Sequence, residues 1–135
     1  MMPNDLIDAA LDARKHAYAP YSNFQVGAAL RDETGRIHAG CNVENAAFPQ
    51  GVCAEAAALS AMVLAGGLRC VEMAIVGGGD SLITPCGGCR QKLREFATDD
   101  MTIHACDETG VLKRTFMLGE LLPFAFSPTH LGPSA

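Results

Sequence analysis

Two cysteine motifs, each at the start of a segment with helical spacing, constrain the fold of this chain more than any other feature. The first is Cys-Ala-Glu at positions 53–55, and the second is Pro-Cys-Gly-Gly-Cys at positions 85–89. Cys86 follows Cys53 by 33 positions, which is enough for one helix, one strand and one loop. That connection can bring two helix N-termini side by side at one end of a sheet. Free backbone N–H groups there stabilise thiolates, so the pattern predicts a metal–thiolate site.

The spacing of apolar residues and the turn signals predict the elements around these motifs. The tetrapeptide Asp-Glu-Thr-Gly occurs at 32–35 and again at 107–110, and we interpret both copies as hairpin turns. The order of strands and helices requires crossover connections, so the fold class is α/β, with a mixed sheet of about five strands covered by helices. The predicted helices span 4–18, 53–65 and 87–97, and the predicted strands span 24–31, 36–43, 71–76, 102–106 and 111–116.

Length and charge limit the kind of partner. The chain has 135 residues, which suits one compact domain over 1–135, and its Pro-, Gly- and Ser-rich tail 127–135 is expected to be loosely ordered. A net charge of −5 disfavours nucleic acid as a partner. No apolar run approaches the ~20 residues that cross a bilayer, and no secretory signal is visible. We therefore expect a cytoplasmic protein that does not enter a membrane and acts on a small molecule.

Three of the six cysteines are candidate zinc ligands. Cys53, Cys86 and Cys89 together would hold zinc and leave its fourth position for water, which is typical of a catalytic site. Glu55 lies two residues after Cys53 and can border the site without ligating the metal. Its carboxylate can take a proton from the activated water and deliver it to a ring nitrogen and then to a leaving amine. Burial would favour that role by raising the pKa of Glu55.

The other cysteines leave alternatives open. Cys70 and Cys106 stand among apolar strand residues, so we expect both in the core. Two cysteines separated by two residues are also typical of redox motifs and of structural zinc sites. A structural site is usually closed by a fourth Cys or His, and the four histidines lack the spacing for that role. Cys41 remains the rival fourth ligand.

Longer motifs indicate a family. They are APYSNFQVGAAL at 19–30, GCNVENA at 40–46, the two cysteine motifs, ELLP at 120–123, and Phe126. With them the chain resembles the small homotetrameric zinc-dependent cytidine deaminases over nearly its whole length. Zinc deaminases as a class carry the Pro-Cys-x-x-Cys signature and a glutamate that is not a zinc ligand. The resemblance implies a three-layer α-β-α fold, one Zn²⁺ per subunit, and hydrolytic deamination of cytidine and 2′-deoxycytidine to the uridines, with release of ammonia, in pyrimidine salvage.

The same resemblance implies roles for residues outside the zinc site. Asn42 and Glu44 match residues that hydrogen-bond the ribose 3′-hydroxyl, and their oxygen and amide groups suit sugar hydroxyls. Phe24 matches a wall of the pyrimidine pocket, and Ala54 offers its backbone N–H to the base. Phe126 matches an aromatic side chain that reaches into a neighbouring subunit's pocket. The subunit contacts expected near the site are Asn45, Ala46 and Phe48.

Two positions depart from the family pattern. Ala56 stands where the family commonly has Arg, a cation that offsets the formal −1 charge of three thiolates on Zn²⁺. We expect Arg90, next to Cys89, to compensate for that missing charge. Phe48 stands where the family often has Tyr, which removes a hydroxyl and keeps the ring.

Other functions compete with ordinary cytidine deamination. A deaminase of a modified cytosine nucleoside, such as a blasticidin-type or N4-substituted substrate, would share the zinc motifs. Polynucleotide deaminases share the zinc core, but the acidic charge of this chain disfavours them. A zinc or nucleoside-binding protein without turnover is the third alternative, and the presence of Glu55 argues against it.

Overall fold

The computed structural model describes residues 4–132. Its predicted elements are present, with bounds that differ by at most four residues, together with a further short helix. The helices are α1 (Asn4–Arg14), α2 (Ala54–Leu64), α3 (Gly87–Phe96) and α4 (Leu118–Leu121). The strands are β1 (Gly27–Asp32), β2 (Ile37–Cys41), β3 (Cys70–Val76), β4 (Thr102–Cys106) and β5 (Leu112–Met117). Among residues 4–132 no helix has the length and apolarity that crossing a membrane would require.

The five strands form one mixed sheet in the order β2-β1-β3-β4-β5. β3 and β4 pair in parallel, and the other neighbours pair antiparallel. Gly27 at the start of β1 pairs with both Cys41 at the end of β2 and Val76 at the end of β3. The segments before β1, after β2 and after β3 therefore meet at a single edge of the sheet.

Helices cover both faces of the sheet, so the fold has the three layers that the family resemblance implies. α1 packs on one face, and α2 and α3 pack on the other. The core under α1 contains Leu6, Ile7, Ala10, Ala29, Ala74, Val76 and Cys106. The larger core under α2 and α3 contains Leu30, Met62, Met73, Ile75, Leu93 and Ile103, among others, and also Cys70. The prediction that Cys70 and Cys106 are core residues is confirmed.

Two glycines allow the helices to approach the sheet closely. A Cβ on Gly40 would lie 2.5 Å from the backbone N of Ala58 and 2.7 Å from the carbonyl oxygen of Ala54. A Cβ on Gly27 would lie 2.0 Å from the carbonyl oxygen of Ala10. α2 thus rests on β2 without an intervening side chain, which fixes the height of its N-terminus above the sheet.

Both copies of Asp-Glu-Thr-Gly form turns, as predicted, and they use the same hydrogen bonds. The Oδ1 atom of Asp32 accepts from the backbone N–H and hydroxyl of Thr34 and from the N–H of Arg36. The Oδ1 atom of Asp107 accepts from the equivalent three donors two and four residues later. The last residue of each tetrapeptide is a glycine at positive φ, a conformation that other residues rarely adopt.

The helix predicted over 4–18 and the strand predicted over 24–31 both extend past the observed elements, because the residues at one end make other hydrogen bonds. The helix predicted over 4–18 ends at Arg14, and Tyr18 instead pairs with Val43 beside the sheet. The strand predicted over 24–31 begins at Gly27, because the side chain of Asn42 takes the place of a partner strand. Its Oδ1 accepts from the N–H of Val26, and its Nδ2 donates to the carbonyl of Phe24.

The C-terminal segment has more structure than its composition predicts. Residues 128–131 form a short 3₁₀ helix, and the ring of His130 accepts a hydrogen bond from the N–H of Ser127. The end of the predicted tail, residues 133–135, lies outside the described residues.

Candidate active site

The edge of the sheet at the end of β3 carries both cysteine motifs. α2 leads into β3 through a turn, and α3 follows β3, so both helices begin at this edge. Cys53 and Cys86 are the residues immediately before α2 and α3. The predicted juxtaposition of two helix N-termini is therefore present.

The three predicted ligand thiols lie together. The sulfur atoms of Cys53, Cys86 and Cys89 all lie within 4.8 Å of one another, and those of Cys53 and Cys86 are 3.9 Å apart. Thiolates that share one tetrahedral zinc at 2.3 Å are about 3.8 Å apart, so the donor set fits zinc. Among residues 4–132, no fourth Cys, His, Asp or Glu belongs to this group. Cys41 is therefore not a ligand of the site, and Glu55 lies outside the ligand set, as predicted.

The surroundings of the three thiols shift their pKa values in different directions. Burial and the neighbouring Cys86 raise the pKa of Cys53, and burial together with the Glu55 charge raises that of Cys89. Burial also acts to raise the pKa of Cys86, but the backbone N–H and thiol of Cys89 outweigh it, so that pKa is lowered. The expected effect of the helix N-termini is thus visible at one thiol only. A divalent cation among them would favour the thiolate form of all three.

Glu55 lies beside the thiols in the first turn of α2. The residue is only 6% exposed. Burial raises the pKa of its carboxyl group, which agrees with the sequence-based expectation. A carboxyl group whose pKa is raised in this way holds a proton more readily than an exposed one, which suits it to accept a proton and pass it on.

A cavity of about 290 Å³ opens above these groups. Thiol and carboxyl groups line part of the cavity, and most of its remaining wall is apolar. This volume lies near the lower end of the range for small-molecule sites, roughly 300–1,000 Å³. The residues that line it are Phe24, Val26, Asn42, Cys53, Ala54, Glu55, Ile75, Ile83, Thr84 and Cys86.

Asn42 and Glu44, the predicted ribose contacts, line two different cavities. The side chain of Asn42 lines the thiol cavity and keeps one N–H and one oxygen lone pair beyond its two bonds to the backbone. Glu44 lines a second cavity of about 340 Å³ with Asn45 and Phe48. The hydroxyl of Ser22 is the main group that lowers the pKa of Glu44.

Three predicted contact residues are exposed and do not line the thiol cavity of their own chain. Phe126 is 57% exposed, and its ring stacks on that of His130 at 5.2 Å. Phe48 is 75% exposed and meets Tyr21 edge to face, and Ala46 is exposed beside it.

Sequence reasoning missed four residues that line the cavity. They are Val26, Ile75, Ile83 and Thr84. Their signal was position: Val26 comes just before β1, Ile75 lies near the end of β3, and the other two come just before Pro85. A Cβ on Gly87 would meet no other described atom within 4 Å.

Arg90 holds the loop that carries Cys86. Each of its three guanidinium nitrogens donates to an uncharged oxygen: the carbonyls of Pro85 and Leu121 and the hydroxyl of Thr84, at 2.7–2.8 Å. The structure thus gives Arg90 an anchoring role in the loop.

Comparison with known proteins identifies the family. The sequence model described as the cytidine and deoxycytidylate deaminase zinc-binding region matches residues 2–105. The chain belongs to this family. It is 39% identical to the cytidine deaminase of Sporosarcina psychrophila, over 96% of this chain and 95% of the relative. It is 42% identical to that of Mycobacterium tuberculosis, over 91% of this chain and 88% of the relative.

A solved structure agrees with the fold. The 1.6 Å crystal structure of cytidine deaminase from Burkholderia pseudomallei superposes with a TM-score of 0.86 at 42% identity, over 93% of this chain and all of that chain. The cytidine deaminase family is thus matched in sequence, in fold and in the zinc donor set. The chain is a zinc-dependent hydrolytic deaminase, and the comparisons give no support to a modified cytosine as its substrate.

Proposed function

We propose that this chain catalyses the hydrolytic deamination of cytidine and 2′-deoxycytidine to uridine and 2′-deoxyuridine, with release of ammonia. The observation that carries the proposal is a buried carboxyl group, Glu55, beside three convergent thiols at the end of a base-sized cavity. A zinc ion held by Cys53, Cys86 and Cys89 supplies Lewis-acid activation of water at neutral pH.

Glu55 moves the protons. Its carboxylate takes a proton from the attacking water and delivers it to N3 of the cytosine ring, which makes C4 more electrophilic. It then takes the remaining hydroxyl proton at C4 and delivers it to the departing amino group, so that ammonia leaves and the C4 carbonyl forms. The carboxyl group ends as it began, and a pKa raised by burial suits it to both directions of transfer.

The remaining site residues hold the nucleoside. Phe24 and the apolar wall exclude water from the base, and Ala54 offers its backbone N–H to a polar atom of the ring. Asn42 uses its spare N–H and lone pair on the sugar hydroxyls, and Glu44, which lines the second cavity, is the further contact to the sugar that the family resemblance implies. A site that hydrogen-bonds a sugar favours the nucleoside over the free base, because unpaired polar groups are costly.

We further propose a homotetramer with composite active sites. Phe126 and Phe48 leave much of their rings exposed, and Phe48 lines the second cavity together with Asn45, near the exposed Ala46. Large exposed apolar side chains near an open site favour burial against another copy of the chain. In this arrangement Phe126 closes a neighbour's base pocket.

The whole chain is proposed to act as one deaminase domain in the cytoplasm, in pyrimidine salvage. Its six cysteines, all within residues 4–132, are free thiols, as a reducing compartment allows.

Ammonia release from cytidine by zinc-loaded Glu55→Gln tests the proposed role. We expect turnover to fall by at least about a hundredfold while zinc content stays at one per chain. Glu95→Gln, an exposed glutamate on α3, is the matched control and should keep wild-type turnover. Turnover in Glu55→Gln equal to that of the control would overturn the assignment, and so would zinc-replete wild-type protein that releases no ammonia.

Mixing two inactive variants tests the composite site. Glu55→Gln lacks the proton carrier, and Phe126→Ala lacks the ring that closes the neighbouring pocket. Co-refolded mixed assemblies should regain activity, because some sites then take Glu55 from one chain and Phe126 from the other. Mixtures no more active than the separate variants would show that Phe126 does not act in a neighbour's site.

A further inference from the structure

Phe126 carries an exposed ring on a backbone that is held in place. The residue is 57% exposed. Its ring stacks on that of His130, with the ring planes inclined by 16°. Its carbonyl oxygen accepts a hydrogen bond of 2.9 Å from the side-chain amide of Gln91. A large aromatic side chain that is both exposed and fixed is suited to contact a partner, because little conformational entropy remains to be lost on binding.

Two consecutive residues of α3 anchor the segment that leads to Phe126. Arg90 donates to the carbonyl of Leu121 at 2.8 Å, and Gln91 donates to that of Phe126. Between these two anchors Phe124 has a φ of +55°, in the left-handed region that a bulky residue rarely adopts. Such a conformation persists only where the surrounding contacts hold it. The path of this segment therefore depends on the two side chains of α3.

The helix that holds Phe126 is also the helix that carries a zinc ligand. Gln91 follows Cys89 by two residues, which places the two side chains about 200° apart around the helix axis. Cys89 is buried among the thiols, whereas Gln91 is exposed and does not line the thiol cavity. One side of α3 thus serves the thiol site of its own chain, and the opposite side holds Phe126.

We propose that Gln91 is a positioning residue of the composite active site, whose amide fixes the backbone of Phe126 so that the ring enters a neighbouring subunit's base pocket in one orientation. Each α3 then supports two active sites, its own through Cys89 and a neighbour's through Gln91. The inference rests on the proposed deaminase with composite sites. Its own claim is that Gln91 acts in the site of a neighbour.

Steady-state deamination of cytidine by Gln91→Met tests the positioning role. The substitution keeps the length of the side chain and removes the N–H donor. We expect KM to rise by about two- to tenfold, the range that corresponds to the loss of one hydrogen bond. The kcat should stay within about twofold of wild type, because a ring that stacks on the base binds substrate and transition state alike. The matched control is Lys92→Met, at the next, exposed position of α3, and it should keep the wild-type KM.

Mixed assemblies show in which subunit Gln91 acts. Gln91→Met is refolded with an excess of Glu55→Gln, which has no proton carrier of its own but supplies a correctly held Phe126. The active sites of the Gln91→Met chains then receive that ring from their neighbours, so KM should return to the wild-type value. The double variant Glu55→Gln/Gln91→Met, in the same excess, is the control and should not restore KM.

A fluorescence measurement gives a readout that needs no turnover. The chain contains no tryptophan, so Phe126→Trp introduces a single one at this position. Adding Gln91→Met to this variant should lower the anisotropy of the tryptophan fluorescence, because the ring moves more freely once its backbone is released. Adding Lys92→Met should leave the anisotropy unchanged. Equal anisotropy with and without Gln91→Met would overturn the inference, whatever the substrate of the enzyme.

The kinetic outcomes separate this inference from the proposed function. A wild-type KM in Gln91→Met would overturn the inference, and so would a raised KM that excess Glu55→Gln does not lower. Phe126→Ala is assayed in parallel. If Phe126→Ala raises KM and Gln91→Met does not, only the positioning role is refuted. If Phe126→Ala also keeps the wild-type KM, the composite site is refuted, and this inference with it.

Discussion

Replacing Gly40 by alanine should damage the metal site without touching a ligand. The added methyl group would lie 2.5 Å from the backbone N of Ala58 and 2.7 Å from the carbonyl oxygen of Ala54. Both atoms belong to the backbone of α2, so no rotamer change can relieve the overlap. The helix must withdraw from β2, and it carries Cys53 with it.

The size of the effect follows from the overlap. Ordinary contact begins at 3.4 Å, so the first turns of α2 would have to move by about 1 Å. Overpacking of this kind costs about 3 kcal/mol, which lowers the melting temperature of a domain this long by ~10 °C. A displacement of that size at one of three ligands should weaken zinc binding by at least about tenfold.

Thermal unfolding and chelator competition on the same variants measure the two effects separately. Leu6→Ala is the matched control, because it costs a similar amount, about 2–5 kcal/mol, in the core under α1. It should lose stability and keep its zinc affinity. Gly87→Ala, next to the ligand Cys86 but in open space, should change neither. If Gly40→Ala bound zinc as tightly as Leu6→Ala does, the coupling of β2 to the ligands through α2 would be refuted.

Two further predictions concern titration and thiol reactivity. The Thr34 hydroxyl and the His38 ring hold the pKa of Asp32 in the folded chain well below its ordinary 3.8. The ionised carboxylate therefore stabilises the fold above pH 3.8, and this stabilisation is lost as the pH falls toward the pKa of Asp32 in the folded chain. In urea unfolding the stability gap between wild type and Asp32→Asn should therefore narrow toward acid, and a gap independent of pH would contradict this. In zinc-free protein at about pH 8, iodoacetamide should label Cys86 and spare Cys70, whose pKa burial raises to about 12; zinc should protect Cys86. Mass spectrometry measures the extent of labelling at each cysteine, and labelling of Cys70 in folded protein would count against its burial.

The features that the sequence predicted well are those fixed by local chemistry. The two turns at 32–35 and 107–110 follow from one aspartate and one glycine each, and both are present with the same bonds. The three thiols converge as expected, because α2 and α3 flank the same strand. Alternating and helical spacing gave the element order in the same way.

The parts that were missed depend on contacts between distant segments. The end of the predicted strand over 24–31 is held by the side chain of Asn42, which no propensity of residues 24–26 could indicate. The withdrawal of Tyr18 from the predicted first helix requires Val43 as its partner. The separation of Glu44 from the thiol cavity likewise depends on its bonds to Tyr21 and Ser22.

The two Asp-Glu-Thr-Gly turns also bear on the order in which the chain assembles. Each closes a hairpin of neighbouring strands, β1 with β2 and β4 with β5, so these contacts cost little loop entropy and can form early. Joining the hairpins requires β3, whose Val76 must meet Gly27 from far along the chain. Every zinc ligand lies in the stretch between the hairpins, so the thiols converge only when that late, long-range pairing is complete. Interactions that form after the folding barrier act on the unfolding rate, so we expect zinc to slow unfolding and to leave the folding rate unchanged.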